Sequence, residues 1–347
     1  MAVEAPIQEK VIVHEGKIVQ LMNMALDGRE NGVGIFKKEI EPPEKRFIGI
    51  AKEYGRLTSS EVFPLHTVFF TSMTLFADNS ARQLATMTNR IDFALNSWLF
   101  KPEMVVKREN RVYNTAFNLI RPGYNQRALK LWYHNAQVLM QHYDGDLRNF
   151  FAANKDDAPT ILQDLVGPHS KENWEGFHRF GPKLARLFLQ WVNQYDLYQR
   201  NGQSVKLTGI DKIGIPVDFQ VVRLTVGTEG IELPFGSVHK HWILDKALIP
   251  LYAEICNEYA LNPQKVSETL WLIGNRCCNN YRHDLCPISP ICKHLISRKP
   301  WDKRGLVDPT DTGRYKTRRQ AMAEKKGQLF LPVAASSGWL GKDEQPL

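Results

Sequence analysis

Two short segments and one loop hold the side chains best suited to chemistry. In GPKLARLFLQWV (181–192), Lys183 follows a Gly-Pro turn at the expected start of a helix, and an uncharged lysine amine is a nucleophile. In IPVDFQVVRL (215–224), Asp218 stands at the entry to a second helix, where a carboxylate can take a proton or steady a developing positive charge. Asp after Pro-Val and before an apolar helix is also an ordinary N-cap, and the two uses are compatible. Lys183 has simpler readings too, as a surface lysine or a phosphate contact. The loop is CCNNYRHDLCPISPIC (277–292), which holds four of the five cysteines within 16 residues. In a reducing compartment such clustering points to a metal or an iron–sulfur cluster rather than to disulfides. Zinc with His283 or His294 is an alternative, and Cys277 and Cys256, both on apolar helix stripes, could simply be packed in a core.

The elements that must position these groups are helical. Leu129, Trp132, Ala136, Leu139, Met140 and Tyr143 step by three and four. So do Leu184, Leu187, Phe188, Trp191, Val192 and Tyr195, and again Leu248, Leu251, Tyr252, Ile255, Cys256 and Tyr259. Asn262-Pro263 opens a further helix through Val266, Leu270 and Ile273. Strand signals are few and no internal repeat is visible, so an all-α fold is expected. Residues 1–45, with a Glu-Pro-Pro-Glu break, read as a loosely packed N-terminal arm. Residues 46–110 read as a helical region with FPLHTVFFTSMTLFA as a buried segment. A central stretch follows over 111–240, then helices and the cysteine loop over 241–296, and a basic tail over 297–347.

Composition limits the classes of function. The 347 residues are 43% hydrophobic, and no apolar run is long enough to cross a membrane. The first residues lack a signal-peptide apolar stretch, so a cytoplasmic protein is expected, with no membrane partner. Net charge is +8 and unevenly spread: 293–326 holds eleven Lys/Arg against four Asp/Glu, a surplus of seven. Residues 1–292 carry 33 basic and 31 acidic residues, a surplus of two. A concentrated basic segment suits a polyanion, although a solvated extension would have the same composition.

The order of Gly-Pro-Lys, Val-Asp-x-x-Val-x-Arg and the cysteine loop resembles the helix-hairpin-helix DNA glycosylases, the endonuclease III-like superfamily. That resemblance implies a helix-hairpin-helix glycosylase fold: two helical domains flanking a DNA cleft, with 46–110 packing against the C-terminal helices. It also implies a [4Fe-4S] cluster on Cys277, Cys278, Cys286 and Cys292, with zinc or no metal as alternatives. The expected partner is double-stranded DNA, bound by a monomer. Departures are visible. The hairpin reads Arg179-Phe180-Gly181 where relatives carry two glycines, and Lys183 and Asp218 are separated by what looks like an insertion, NQYDLYQRNGQSVKLTGIDKIG. Cys286 and Cys292 keep the family's last interval, but the middle cysteine is replaced by the adjacent pair 277 and 278.

Residue by residue, the resemblance makes Asp218 the carboxylate that stabilises an oxocarbenium-like state and Lys183 the amine that attacks the anomeric carbon. If Lys183 plays no such part, water is the nucleophile. Gly181 and Arg179 become hairpin phosphate contacts. Asn118, Tyr124, Asn125 and Gln126, in FNLIRPGYNQRALKLWYHN (117–135), become the group that fills the gap beside an everted base. Lys293, Arg298 and Lys299 become phosphate contacts beside the cluster. The chain is similar to a divergent, phage-linked branch, the α-glutamyl/putrescinyl thymine pyrophosphorylases. This implies excision of a hypermodified phage pyrimidine, as antiviral defence. A transferase acting on such bases, or a non-catalytic DNA-binding module, would use the same scaffold.

Overall fold

The computed structural model describes residues 12–38, 40–75, 80–120, 126–167, 176–178, 180–232, 248–278 and 282–293. In chain order the helices are α1 Glu15–Glu30, α2 Pro43–Leu57, α3 Phe63–Ser72, α4 Ser80–Arg90, α5 Phe93–Asn96, α6 Pro102–Lys107 and α7 Glu109–Ile120. They continue as α8 Gln126–His142, α9 Leu147–Ala153, α10 Ala158–Val166, α11 Pro182–Gln194, α12 Phe219–Gly227, α13 Ile249–Glu258 and α14 Pro263–Ile273. Strands are two residues each: β1 Ile12–Val13 pairs antiparallel with β4 Ile231–Glu232, and β2 Gln199–Arg200 with β3 Gln203–Ser204. The protein is mostly helical, as its periodicity predicts. Among the described residues no helix is long and apolar enough to cross a membrane.

The chain divides into two units. The larger comprises 41–216 and 249–264; the smaller comprises 1–40, 217–248 and 265–347. This division cuts across the segments expected from sequence. Residues 46–110 share a unit with 111–216 and α13, whereas 217–240 and α14 belong to the other.

The larger unit is built around α3, whose ten residues are all buried. An α-helix apolar on every side must be enclosed, and α2 and α11 are among the elements packed on it. Two of its hydroxyls are absorbed locally: Thr71 Oγ1 donates to the Thr67 carbonyl at 2.7 Å and Ser72 Oγ to the Phe69 carbonyl at 2.9 Å. The Phe69 ring lies 4.9 to 5.6 Å from the rings of Phe70, Phe177, Phe180 and Phe188. Phe70 stacks on Trp132 of α8, whose indole donates to the Leu99 carbonyl at 2.8 Å. Each such buried ring contributes roughly 1.5–3 kcal/mol. His66, also on α3, accepts from the Leu147 amide at 3.1 Å and bonds the Phe100 carbonyl. Leu147 opens α9, which is capped by Asp146, and Arg148 grips that carboxylate at 2.6 Å.

In the smaller unit, the stretch expected as a loose arm holds α1, sixteen residues long, with Ile18, Leu21, Met22, Ala25 and Leu26 buried. Its packing is close. A Cβ on Gly28 would lie 2.6 Å from Pro287, and one on Gly230 would lie 2.7 Å from Ile18. Arg29 reaches Glu268 at 2.6 Å and Thr269 at 3.0 Å on α14. Just after α1, Gly34 has φ of +62° and sits so tightly on the Leu285 carbonyl that only glycine fits. The arm is therefore a structural part of the cysteine-loop unit, because its apolar stripe finds partners more than 200 residues away.

Burial lowers His66 to about 4, against Asp146, which works the other way. The folded protein therefore keeps this ring neutral, while the unfolded chain binds a proton near the ordinary 6.5. Stability should be complete above that value and fall as pH drops toward 4, by up to roughly 3 kcal/mol. Asp146, burdened by burial but held below its usual range by Arg148, adds a further loss only at lower pH. Urea unfolding between about pH 7 and about pH 4 should show this slope, and His66→Gln, which keeps an acceptor and a donor, should flatten it.

Candidate functional site

The start of α11 is positioned from below by α8. Asn135, fully buried, donates from Nδ2 to the His178 carbonyl at 3.0 Å and accepts from the His178 amide at 2.9 Å. His134 donates to the Gly176 carbonyl at 3.2 Å, and its ring meets that of His178 edge-on. Phe177 and Phe180 then insert into the aromatic cluster. The backbone leading into α11 is thus held on both sides of Arg179, which itself lies outside the described residues. Upstream, α10 stops at Gly167, whose φ is +60°.

Gly181 is the N-cap of α11, Pro182 its first residue and Lys183 its second. Lys183 is half-buried. Gly181 is exposed, its φ of −77° suits any residue, and an added Cβ would meet nothing within 4 Å. The fold does not demand glycine there, and the residue caps the helix with no side chain. What glycine provides is an open approach to first-turn amides that have no intrahelical acceptor, an arrangement able to bind an anion.

The insertion over 193–214 is tightly held. Arg186 donates to the Ile213 carbonyl at 2.6 Å and Gln190 to that of Gly214 at 3.2 Å. Asp156 accepts from Tyr198 Oη at 2.7 Å and from Arg200 at 3.1 Å, and Thr208 bonds the backbone of Asp156 and Ala158. These ties lay the β2–β3 hairpin against the α9–α10 turn.

In the smaller unit, Asp218 is the N-cap of α12. It is 5% exposed, and Oδ1 accepts from the Gln220 amide at 2.8 Å and the Val221 amide at 3.3 Å. The capping use expected from sequence is present. Further along α12 lies Arg223, 2% exposed, which donates from Nη2 to Gln220 Oε1 and to the Gly274 carbonyl at 3.0 Å. Gln220 and Gly274 are pressed together: a Cβ on Gly274 would lie 2.7 Å from the glutamine side chain. Because Oε1 is committed to Arg223, Gln220 presents Nε2 inward, a buried donor with no partner among the described residues. Arg223 is the arginine of the Val-Asp-x-x-Val-x-Arg pattern, whereas Gln220 is a site residue that the sequence reading did not single out. The signal was present, since a charged arginine among Val221, Val222 and Leu224 has to find acceptors.

Gly274 opens a π-helical turn, Gly274–Cys278, at the end of α14, and this turn carries Cys277 and Cys278. Cys286 and Cys292 end two short 3₁₀ turns, His283–Leu285 and Ser289–Ile291. The Cys277 thiol donates to Cys286, which with burial pushes Cys277 far above its usual range. Cys286 is held below its own, first by that bond and then by the Ile288 and Ser289 amides, against the effect of burial. Cys278 is pushed up to about 12 by burial, opposed by Arg223, and feels both Cys286 and Cys292. Cys278 thus feels Cys286 and Cys292, Cys277 bonds Cys286, and the buried Arg223 guanidinium acts on Cys278. The chemistry of this donor set fits a soft metal or an iron–sulfur cluster. Among the described residues no three His, Cys, Asp or Glu side chains are gathered as a ligand set.

Lys293 is engaged within the protein. Its ammonium pairs with Glu229, which also takes Lys17 at 2.6 Å, and its amide donates to the Gly227 carbonyl at 2.7 Å. Hydrogen bonds from Lys17 and Lys293 hold the Glu229 carboxyl down at about 2. Asn118 is exposed near the end of α7. Tyr124, Asn125, Arg298, Lys299 and His294 lie outside the described residues, as does the side chain of Gln126, which begins α8. Lys183 belongs to the larger unit and Asp218 to the smaller, the division falling between Pro216 and Val217.

Two measurements check this geometry. Gly181→Asp should leave the melting temperature unchanged or raised, since aspartate caps a helix and faces its positive end. The same change should weaken binding to duplex DNA by about tenfold or more, because it places an anion where a phosphate would sit. For the loop, anaerobically purified protein should contain iron and acid-labile sulfide, with Cys286→Ser losing both; zinc alone would replace the iron assignment.

Comparison with protein-family models finds no match, and no curated protein matches the chain.

Proposed function

We propose that the protein is a DNA N-glycosylase of the helix-hairpin-helix type. It everts a modified base from duplex DNA, releases it and leaves an abasic site. The observation that carries this reading is the position of Asp218, a buried carboxylate ordered by the first amides of α12. A carboxylate fixed in this way, away from bulk water, is suited to stabilise an oxocarbenium-like centre, because it needs no reorganisation as the charge develops. It is equally suited to accept the proton of an attacking water. The start of α11 supports the reading separately, with an open glycine and first-turn amides for a phosphate and Lys183 one residue beyond Pro182.

In this reading the bond between the sugar carbon and the base breaks, the departing base takes the electron pair, and water adds to the sugar carbon. Where the Lys183 amine adds instead, the product is a Schiff base, and β-elimination then nicks the strand. Cys277, Cys278, Cys286 and Cys292 would hold a [4Fe-4S] cluster, which when bound supplies structural cross-linking of the loop. The substrate we assign is a hypermodified phage pyrimidine, which makes the enzyme an antiviral one.

Asp218→Asn is an informative variant, since asparagine also caps a helix and the fold should survive. Base release from modified phage DNA, followed by mass spectrometry and an aldehyde-reactive probe, should fall by about 10²–10⁴-fold. Activity retained in that variant would sink the catalytic assignment. Lys183→Ala should abolish borohydride trapping and strand nicking; if base release then persists at full rate, water is the nucleophile. Release from ordinary damaged DNA alone would refute the hypermodified substrate.

A further inference from the structure

We infer that one exposed face of α7, with the adjoining ends of α4 and α6, is a track for the phosphodiester backbone of duplex DNA. This extends the glycosylase reading and rests on it. Lys107 and Arg108 at the end of α6, and Arg111, Asn114 and Asn118 on α7, are all exposed. Positions 111, 114 and 118 recur at helical spacing on α7 and so share a face, and Lys107 and Arg108 lie at the junction that leads into it. Arg90, at the end of α4, donates to the Asn118 carbonyl at 3.4 Å and extends the face past the last turn. The opposite side of α7 is fixed in the larger unit: Val112 and Ala116 are buried, and Tyr113 stacks on Phe117.

Several cations of the protein are neutralised within the fold. Lys17, Arg29, Arg56, Arg148, Arg200 and Lys206 each pair with a carboxylate. Among the described residues Arg90, Lys107, Arg108 and Arg111 have no such partner. The nearest acid on α7, Glu109, is turned to the Tyr133 hydroxyl on α8, and Asp92 caps α5. Arg108 is held instead over the Trp98 ring at 5.1 Å, which limits the rotamer freedom that a flexible arginine would lose on binding. From Arg111 to Asn118 the helix rises about 10 Å, room for about three nucleotides of one strand. Cations with interleaved asparagines are the groups that contact phosphates without reading sequence.

The test is fluorescence anisotropy of an unmodified duplex over a salt series, with base release measured in parallel. Exchanging Arg108→Gln with Arg111→Gln should lower the slope of log affinity against log salt by about 1.8, and Arg108→Lys with Arg111→Lys should restore most of it. Both variants should stay folded, since each side chain is exposed, and loss of the Arg108 contact with the Trp98 ring should lower the melting temperature of the glutamine variant by a few degrees at most. An unchanged slope in the glutamine variant, with Asp218-dependent base release intact, overturns the track and leaves the glycosylase reading standing. Loss that lysine does not rescue, or binding of the same residues to anionic phosphatidylserine vesicles and not to duplex, also overturns it. Absence of both duplex binding and base release in the unaltered protein removes the glycosylase reading and the track with it.

Discussion

Enclosing α3 on every side is the constraint on which the larger unit depends. A helix with no polar face cannot sit at a surface, so its neighbours must wrap it, and the rings of Phe177 and Phe180 take part in that enclosure. The consequence reaches the candidate site directly. The segment carrying those rings also leads into α11, so burying aromatic surface and aiming a helix start become one event. Asn135 finishes the positioning, since its amide holds the His178 backbone at two points.

The smaller unit answers a different problem, a buried guanidinium. Arg223 cannot be left in apolar surroundings without acceptors, and it finds them in Gln220, on its own helix, and in the carbonyl of Gly274, where the π turn begins. Gly274 is small enough to let the two segments meet. The helix capped by Asp218 and the turn bearing Cys277 and Cys278 are therefore a single packed piece. The cysteine loop is joined in turn to α1 through Pro287 and Leu285, and to Glu229 through Lys293.

Much of this was legible before the structure, and the rest was not for physical reasons. The helices over 129–143, 184–195 and 263–273 follow their apolar periodicity, and Asp218 caps its helix as its type and position foretell. Met140 and Tyr259, at the edges of their stripes, are 38% and 44% exposed, because a stripe's outermost rows need not reach the core. The helix over 15–30 was hidden in plain sight. Its residues 18, 21, 22, 25 and 26 have helical spacing, but their partners lie near the other end of the described chain. The cysteine clustering was readable, whereas the π turn was not, since that geometry comes from packing against α12. Likewise the bond from Arg223 to Gly274 spans 51 residues, beyond the reach of local pattern.

The way α1 closes on the cysteine loop bears on how the chain is made. The larger unit is nearly continuous along the sequence, from 41 to 216, and its core can condense while the ribosome is still at work. The smaller unit cannot, because α1 awaits Glu268, and Gly34 awaits Leu285. The apolar side of α1 is therefore covered only after more than 200 further residues have been made.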